Sequence, residues 1–350
     1  MKRRIALIGL GTVGQGLCEI LIQKEQLLNE KYDFEAEIVA ISDVQKGSIF
    51  CEQGLEITQC LELVKHGKNL NEYKCKQDNC QCHKDWDAIQ TIKESNADII
   101  CELAYTDVKT GEPAITHCKT AFKNGKHIVT SNKGPAALQY SELKKLAEEN
   151  NVEFMIEGTV MSGSPVINLA EGPLAGCTIS AIKGILNGTT NYMLSEMEKG
   201  MSYAEVLQKA QELGYAEADP TGDVEGYDAM AKVIILANVL MDVPLSAGDV
   251  HREGITNITS EMIESAKNEN TRWKLISTIE NTDSGFRASV KPEKLPLTHP
   301  LANIMGATNA LTFSTDLLGD VTIVGAGAGK LETGFSILTD ILAIHRKIKN

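Results

Sequence analysis

The sequence predicts an α/β protein of two domains, a nucleotide-binding domain with a parallel sheet followed by an α+β domain, and three observations carry that prediction. A glycine-rich turn sits between an apolar strand and a helical pattern at the start of the chain. Strands and helices then alternate as far as Ile156, the order that builds a parallel sheet. The 350 residues also exceed what one hydrophobic core usually spans.

Composition narrows the class. With 43% hydrophobic and 23% charged residues the chain reads as globular, and no apolar run reaches membrane-spanning length. A net charge of −13 with no clustered basic face argues against a nucleic-acid surface. The start MKRRIALIGLGTVGQG has the charge order of a secretory leader, but glycines interrupt the apolar run at once. A strand feeding a turn explains it better, and a cytoplasmic location is expected.

Taken in order, Arg4 to Ile8 is the first strand, and Gly9-Leu10-Gly11-Thr12-Val13-Gly14 opens a helix through Leu17, Ile20 and Leu21. A GxGxxG in that context is a Rossmann-type dinucleotide fingerprint: Gly9 permits the turn, Gly11 lets backbone approach a diphosphate, and Gly14 allows close helix packing. The second strand, Glu37 to Ser42, ends at Asp43, the candidate acceptor for the adenosine ribose hydroxyls. Lys46 nearby could instead meet a 2′-phosphate, so NAD and NADP both stay open. The strand from Ala97 to Ala104 leads to a loop with Thr106. A helix over 114–123 follows, and the strand from Lys126 to Thr130 ends in Ser131-Asn132-Lys133-Gly134-Pro135. Ligands bind at the carboxyl ends of parallel strands, which nominates Thr106 and Lys133. A helix over 140–150 and a strand to Ile156 complete the alternation. The small-residue segment Glu157 to Pro165 could coordinate a hard cation through carbonyls and one carboxylate, or simply turn the chain into a helix.

A strand from Ile179 is expected to end in a loop at Asn187-Gly188-Thr189-Thr190-Asn191, crowded with donors suited to an anion. The most unusual stretch is Leu213 to Leu240. It places Glu217, Asp219, Asp223, Glu225, Asp228 and Lys232 within sixteen residues before an apolar helix. Asp228 and Lys232, four apart, share a helix face. Residues 242–322 read as mixed α/β without a catalytic motif. The end carries a second glycine-rich turn, Gly325-Ala326-Gly327-Ala328-Gly329, and a helix through Ile337, Leu338, Ile341 and Ile344 that returns to the nucleotide domain.

The nine cysteines are odd in number, and several fall in regular elements, against a secreted disulfide framework. Cys51, Cys60, Cys75, Cys80, Cys82 and His83 cluster in the hard-to-read segment 47–88. The spacing C-x4-C-x-C-H is not that of a common zinc site, so zinc and a polar surface insertion with reduced thiols are both open.

On these blocks, GLGTVGQG, VTSNKGP at 129–135, EGTVMSGSP at 157–165, GILNGTTNYML at 184–194, LGYAEADPTGDVEGYDAMAK at 213–232 and GAGAG at 325–329, the chain resembles the homoserine dehydrogenases over essentially its whole length. The resemblance implies reversible NAD- or NADP-dependent interconversion of L-homoserine and L-aspartate 4-semialdehyde, serving threonine, methionine and isoleucine synthesis. It implies Lys232 as proton donor and acceptor, with Glu217, Asp228 and Lys133 around the substrate, and a homodimer. Cofactor contacts are implied for Gly11, Thr12, Val13, Thr106, Lys133 and Gly327, beside Gly9, Gly14 and Asp43 from the fingerprint and the second strand. A sodium ion would lie at Glu157, Val160, Ser162 and Ser164. The resemblance also implies a dinucleotide domain of residues 1–136 and 322–350, and a catalytic and dimerisation domain of 137–321. The regulatory extension of many relatives is expected to be absent. Two departures stand out: the cysteine-rich segment, and Ala326 where proline is common.

The chemistry agrees with the resemblance. The cofactor accepts hydride, so the protein need only move the hydroxyl proton, a task for a positioned lysine. The alternatives are a related dehydrogenase of another amino-alcohol or aldehyde, and a non-catalytic NAD(P)-binding protein whose cysteine segment binds metal.

Overall fold

The structure is a computed structural model that describes residues 1–75, 82–107, 109–283 and 285–349. The chain divides into two compact units, residues 1–159 with 329–350, and residues 160–328. These limits fall later than the expected boundaries at 136 and 321. The helix Tyr140–Glu149 and the short strand after it complete the first sheet, whereas the strand leading into the late glycines is hydrogen-bonded into the second.

The first unit is a seven-stranded sheet of β1 (Lys2–Ile8), β2 (Glu35–Asp43), β3 (Gly47–Cys51), β4 (Cys82–Lys84), β5 (Ile99–Glu102), β6 (His127–Thr130) and β7 (Phe154–Met155), in the order β4-β3-β2-β1-β5-β6-β7. β2, β1, β5, β6 and β7 run parallel, and β3 and β4 extend that sheet antiparallel. Ile5, Leu7, Ile38 and Ile41 of the sheet are buried with Leu17 and Leu21 of the helix Thr12–Tyr32 and Ile337, Ile341 and Ile344 of the helix Lys330–Lys349. Those two helices cross at a pair of glycines. A Cβ on Gly334 would lie 2.6 Å from the Leu17 nitrogen and 2.7 Å from the Gly16 carbonyl carbon. The crossing brings the C-terminal helix home to the first unit, as the sequence suggested.

The described residues of the segment 47–88 are more than a polar surface insertion. They supply β3 and β4, with the helix Ile57–Lys65 and a 3-10 turn between them, and bury Leu55, Cys60, Leu70 and Tyr73 in the core.

The second unit carries a six-stranded sheet of β8 (Ile179–Ile185), β9 (Val250–Arg252), β10 (Thr271–Thr282), β11 (Gly285–Pro296), β12 (Thr308–Thr315) and β13 (Gly319–Ala326), in the order β13-β12-β8-β10-β11-β9. Its pairs are antiparallel except β11 with β9, giving the expected α+β character. Asn187 to Asn191, expected as a loop, is instead the cap and first turn of the helix Gly188–Met197. The Asn187 side chain accepts from the Thr190 amide and makes helix the better local solution. Under the sheet, fully buried Lys274 donates to Asn191 Oδ1 at 2.8 Å and to the Ile304 carbonyl, and burial brings its pKa down to about 8. Among the described residues no helix is long and apolar enough to cross a membrane.

Candidate active site

In the first unit, β1 delivers Gly9, which adopts φ +102°; a Cβ there would meet the Leu103 carbonyl at 2.6 Å. A Cβ on Gly14 would meet the Gly9 carbonyl at 2.7 Å. Over Gly11, by contrast, nothing lies within 4 Å of the Cβ position, so one glycine of the three faces open space where a diphosphate can approach. Thr12 and Val13 begin the following helix. Asp43 at the end of β2 accepts from the Leu10 amide at 2.8 Å and from the Gln45 and Lys46 amides at 2.9 Å. Burial raises its pKa, but the three amides and the Lys46 ammonium outweigh that and hold it below the ordinary carboxylate value. Lys46 pairs with Asp43, 3.6 Å away.

A network the sequence reading missed fixes the neighbouring strand ends. Glu102, fully buried at the end of β5, accepts from the Ala104 amide at 3.0 Å, Asn132 Nδ2 at 2.8 Å and His117 Nδ1 at 2.6 Å. Asn132 also donates to the Ala104 carbonyl, tying the loop after β5 to the loop after β6. These loops carry Thr106 and Lys133. Thr106 Oγ1 is buried without a hydrogen-bond partner among the described residues, and half-buried Lys133 starts the helix Lys133–Leu138. The open face of Gly11, the orphaned Thr106 hydroxyl and the carboxylate ending β2 fit a dinucleotide cofactor. The only visible signal for the network was an acid ending a strand.

In the second unit, the helix Tyr227–Leu240 places Asp228 and Lys232 one turn apart as the spacing requires. Lys232 is buried; its Nζ donates to Asp228 Oδ2 at 2.7 Å and to the Leu186 carbonyl, at the end of β8, at 2.6 Å. Asn187 Nδ2 donates to both Asp228 Oδ2, at 3.0 Å, and Asp223 Oδ1, at 2.6 Å. Its Oδ1 takes the Thr190 amide and hydroxyl, both at 2.9 Å, and this fixes which end of the amide faces the acids. Burial raises the Asp223 pKa; the Asn187 hydrogen bond and the Lys232 charge oppose that and the Asp228 charge adds to it, leaving the carboxyl above its ordinary value. Asp223 and Asn187 therefore belong to the cluster; the sequence marked Asn187 only within a stretch of donors suited to an anion and gave Asp223 no role of its own.

Glu217 does not join them. It is exposed, its side chain has no hydrogen bond or ion pair to the described residues, and only its carbonyl is engaged, by Gln211. Gly327 belongs to the second unit, just after β13, which pairs with β12. A Cβ on Gly327 would strike the amide of Asn309, a fully buried side chain with neither end hydrogen-bonded among the described residues. Glu157 is buried, with its amide bonded to Asp340 Oδ2 at 2.9 Å. Val160 and Ser162 are also buried, Met161 and Ser162 turn through φ +56° and +52°, and Ser164 reaches the Ala326 carbonyl at 3.4 Å.

A dinucleotide fingerprint on a parallel sheet, with a lysine and carboxylate cluster on a second α+β unit, defines a nicotinamide-dependent oxidoreductase. The family model for the homoserine dehydrogenase NAD-binding domain matches residues 9–157, and that for homoserine dehydrogenase matches 165–342. The chain belongs to the homoserine dehydrogenase family. It is 44% identical over 346 residues to an NAD(+)-dependent homoserine dehydrogenase of Pseudomonas canavaninivorans, covering 98% of this chain and 96% of that one. It is 40% identical over 346 residues to a homoserine dehydrogenase of Methanocaldococcus jannaschii, covering 99% of each. Among solved structures, a homoserine dehydrogenase from Thiobacillus denitrificans superposes with TM-score 0.84 at 30% identity, over 100% of this chain and 74% of that one. A hyperthermophilic archaeal homoserine dehydrogenase in complex with NADPH gives 0.82 at 29% identity, over 99% and 98%.

Proposed function

We propose that this chain catalyses the reversible NAD(P)-dependent interconversion of L-homoserine and L-aspartate 4-semialdehyde, with Lys232 moving the proton. The observation that carries the residue assignment is the buried ammonium of Lys232, held at 2.7 Å by Asp228 and at 2.6 Å by the Leu186 carbonyl on a chain that matches the family throughout. Those bonds use two of three N–H donors, and the third is what a substrate oxygen would take. When bound, the nicotinamide supplies hydride transfer. In the reducing direction Lys232 donates its proton to the oxygen that becomes the hydroxyl, and in the oxidising direction it takes that proton back. Asp228 holds the ammonium in place, and Asn187 keeps Asp228 and Asp223 from separating.

Lys133 is assigned to the substrate and nicotinamide edge, and Gly9, Gly11, Thr12, Val13, Gly14, Asp43 and Thr106 to the dinucleotide. Glu217 is assigned to the substrate ammonium, which it would meet as an exposed and unengaged carboxylate. NAD is the favoured cofactor, because Asp43 keeps its charge beside Lys46 and would repel a 2′-phosphate. A sodium ion is assigned to Glu157 and the carbonyls of Val160, Ser162 and Ser164 on the resemblance of that segment to the family. A homodimer is favoured by the edge strand β13. Val324 on it is 51% exposed, and Leu317 and Leu318 before it are 71% and 60% exposed, as a surface awaiting a second copy would be. A cytoplasmic location belongs to the same reading.

The test is an absorbance assay of cofactor reduction with L-homoserine at alkaline pH. Turnover with NAD exceeding that with NADP is expected, and Lys232→Ala should lower kcat by about 10²–10⁴-fold while cofactor affinity is kept. No turnover by the intact protein refutes the activity, and near-normal turnover by the variant refutes the role of Lys232.

A further inference from the structure

Beyond the dehydrogenase reading, and independent of it, the first unit holds a second cluster. The sulfurs of Cys51, Cys75 and Cys82 all lie within 4.8 Å of one another. Cys51 is the last residue of β3 and Cys82 the first of β4, and the two are register partners across that antiparallel pair. Cys75 arrives from the 3-10 turn Leu70–Glu72, just past buried Tyr73, whose hydroxyl accepts from the Glu56 amide at 2.9 Å. Three cysteine sulfurs from separate points of the chain thus converge at the end of β3 and the start of β4.

We propose that these three cysteines bind a structural zinc ion. Tetrahedral zinc with Zn–S bonds of about 2.3 Å sets its sulfurs about 3.8 Å apart, inside the observed spacing. Sulfur donors without a carboxylate in the group select a soft cation over magnesium or calcium. His83, adjacent in sequence, is not in the group. Its ring stacks on Trp86 at 4.9 Å and on Phe50 at 5.8 Å between centroids. Cys60 is buried but likewise outside the group, and Cys80 lies outside the described residues.

Cys51 is disulfide-bonded in this structure. Crowding that lets one of these sulfurs oxidise also lets a cation hold them reduced. Loading therefore needs a phosphine or thiol reductant to deliver two electrons and two protons to that disulfide. Each thiol that then bonds to zinc releases its proton. The ion would tie the helix Ile57–Lys65 and the 3-10 turn Leu70–Glu72 to the sheet, restricting the unfolded chain as a cross-link does.

The experiment uses the full chain, purified under a phosphine reductant, given zinc salt, desalted and analysed for metal and by thermal unfolding. About one zinc per chain is expected, with loss of zinc and a lower Tm on strong chelation. Cys75→Ser and Cys82→Ser should each retain less than a tenth as much, whereas Cys177→Ser should match the parent. Should the cysteine variants misfold, a chromophoric zinc chelator competed against the unmodified protein supplies the same answer. No retained zinc in the reduced protein, iron in its place, or undiminished zinc in both cluster variants overturns the proposal.

Discussion

Asn187 is the most exposing position at which to perturb the site, because its two ends do different work. Its oxygen caps the helix Gly188–Met197, and its nitrogen donates to Asp223 and Asp228. Asn187→Ala removes both functions. Loss of the cap costs about 1 kcal/mol, and loss of donation to charged acceptors about 2 kcal/mol more. Asn187→Asp keeps a good cap but puts a third carboxylate where an N–H group stood 2.6 and 3.0 Å from two others. At an effective dielectric of about 20, one like-charge contact near 4 Å amounts to about 4 kcal/mol. The Lys232 ammonium beside Asp228 cancels part of it, leaving the aspartate variant about 1–2 kcal/mol below the alanine variant near neutral pH. Repulsion raises the folded-state pKa of the new carboxyl, so the penalty is absent below the ordinary carboxylate range and grows as pH rises toward the folded value. Thermal unfolding at about pH 7.5 should rank parent above alanine above aspartate, with steps on the order of 6 °C and 3 °C. At about pH 4.5 the introduced carboxyl, once protonated, both caps and donates, and the two variants should exchange order. An aspartate variant at least as stable as the alanine variant at neutral pH would refute the claim that Asn187 bridges two charged acids.

Two further outcomes follow from packing and burial. Lys274→Met should be least destabilising near pH 7 and progressively more so toward pH 10, by urea unfolding. The parent lysine, with its pKa brought down to about 8 by burial, contributes stability above its unfolded pKa that is lost as pH falls through the folded one. Gly334→Ala should lower stability by about 2 kcal/mol, since the added methyl meets the Gly16 and Leu17 backbone at 2.6–2.7 Å and neither helix can yield locally; an unchanged Tm would contradict that crossing.

How much of this was legible depends on the range of the interactions involved. The parallel sheet could be read because its longer strands are apolar runs rich in β-branched residues that alternate with helical patterns, both set by neighbours in sequence. The segment 47–88 could not. Its strands β3 and β4 are five and three residues long and are defined by pairing with β2 and with each other, which leaves little periodic signal. The division at the late glycines falls later than expected for a similar reason. Glycine-rich turns look alike, and only the pairing of β13 with β12 assigns Gly327 to the second unit.

The site divides along the same line. The contact between Asp228 and Lys232 is helical geometry, so the sequence contains it. What the sequence could not contain is which further groups the fold brings to that pair. Asn187 and Asp223 are 36 residues apart, yet 2.6 Å separates their polar atoms. One local clue to Asn187 existed, an asparagine directly before a helical segment, and it was masked by the glycine and threonines that made the segment look like a loop. The same geometry bears on Glu217, which the sequence placed beside the substrate together with Asp228. A carboxylate that is exposed and unengaged loses little hydration in binding an ammonium, but it is also free to move. Asp223 and Asp228 are locked by Asn187 and Lys232, so the preorganised part of the site is the buried cluster, and Glu217 can add charge to it without setting its geometry.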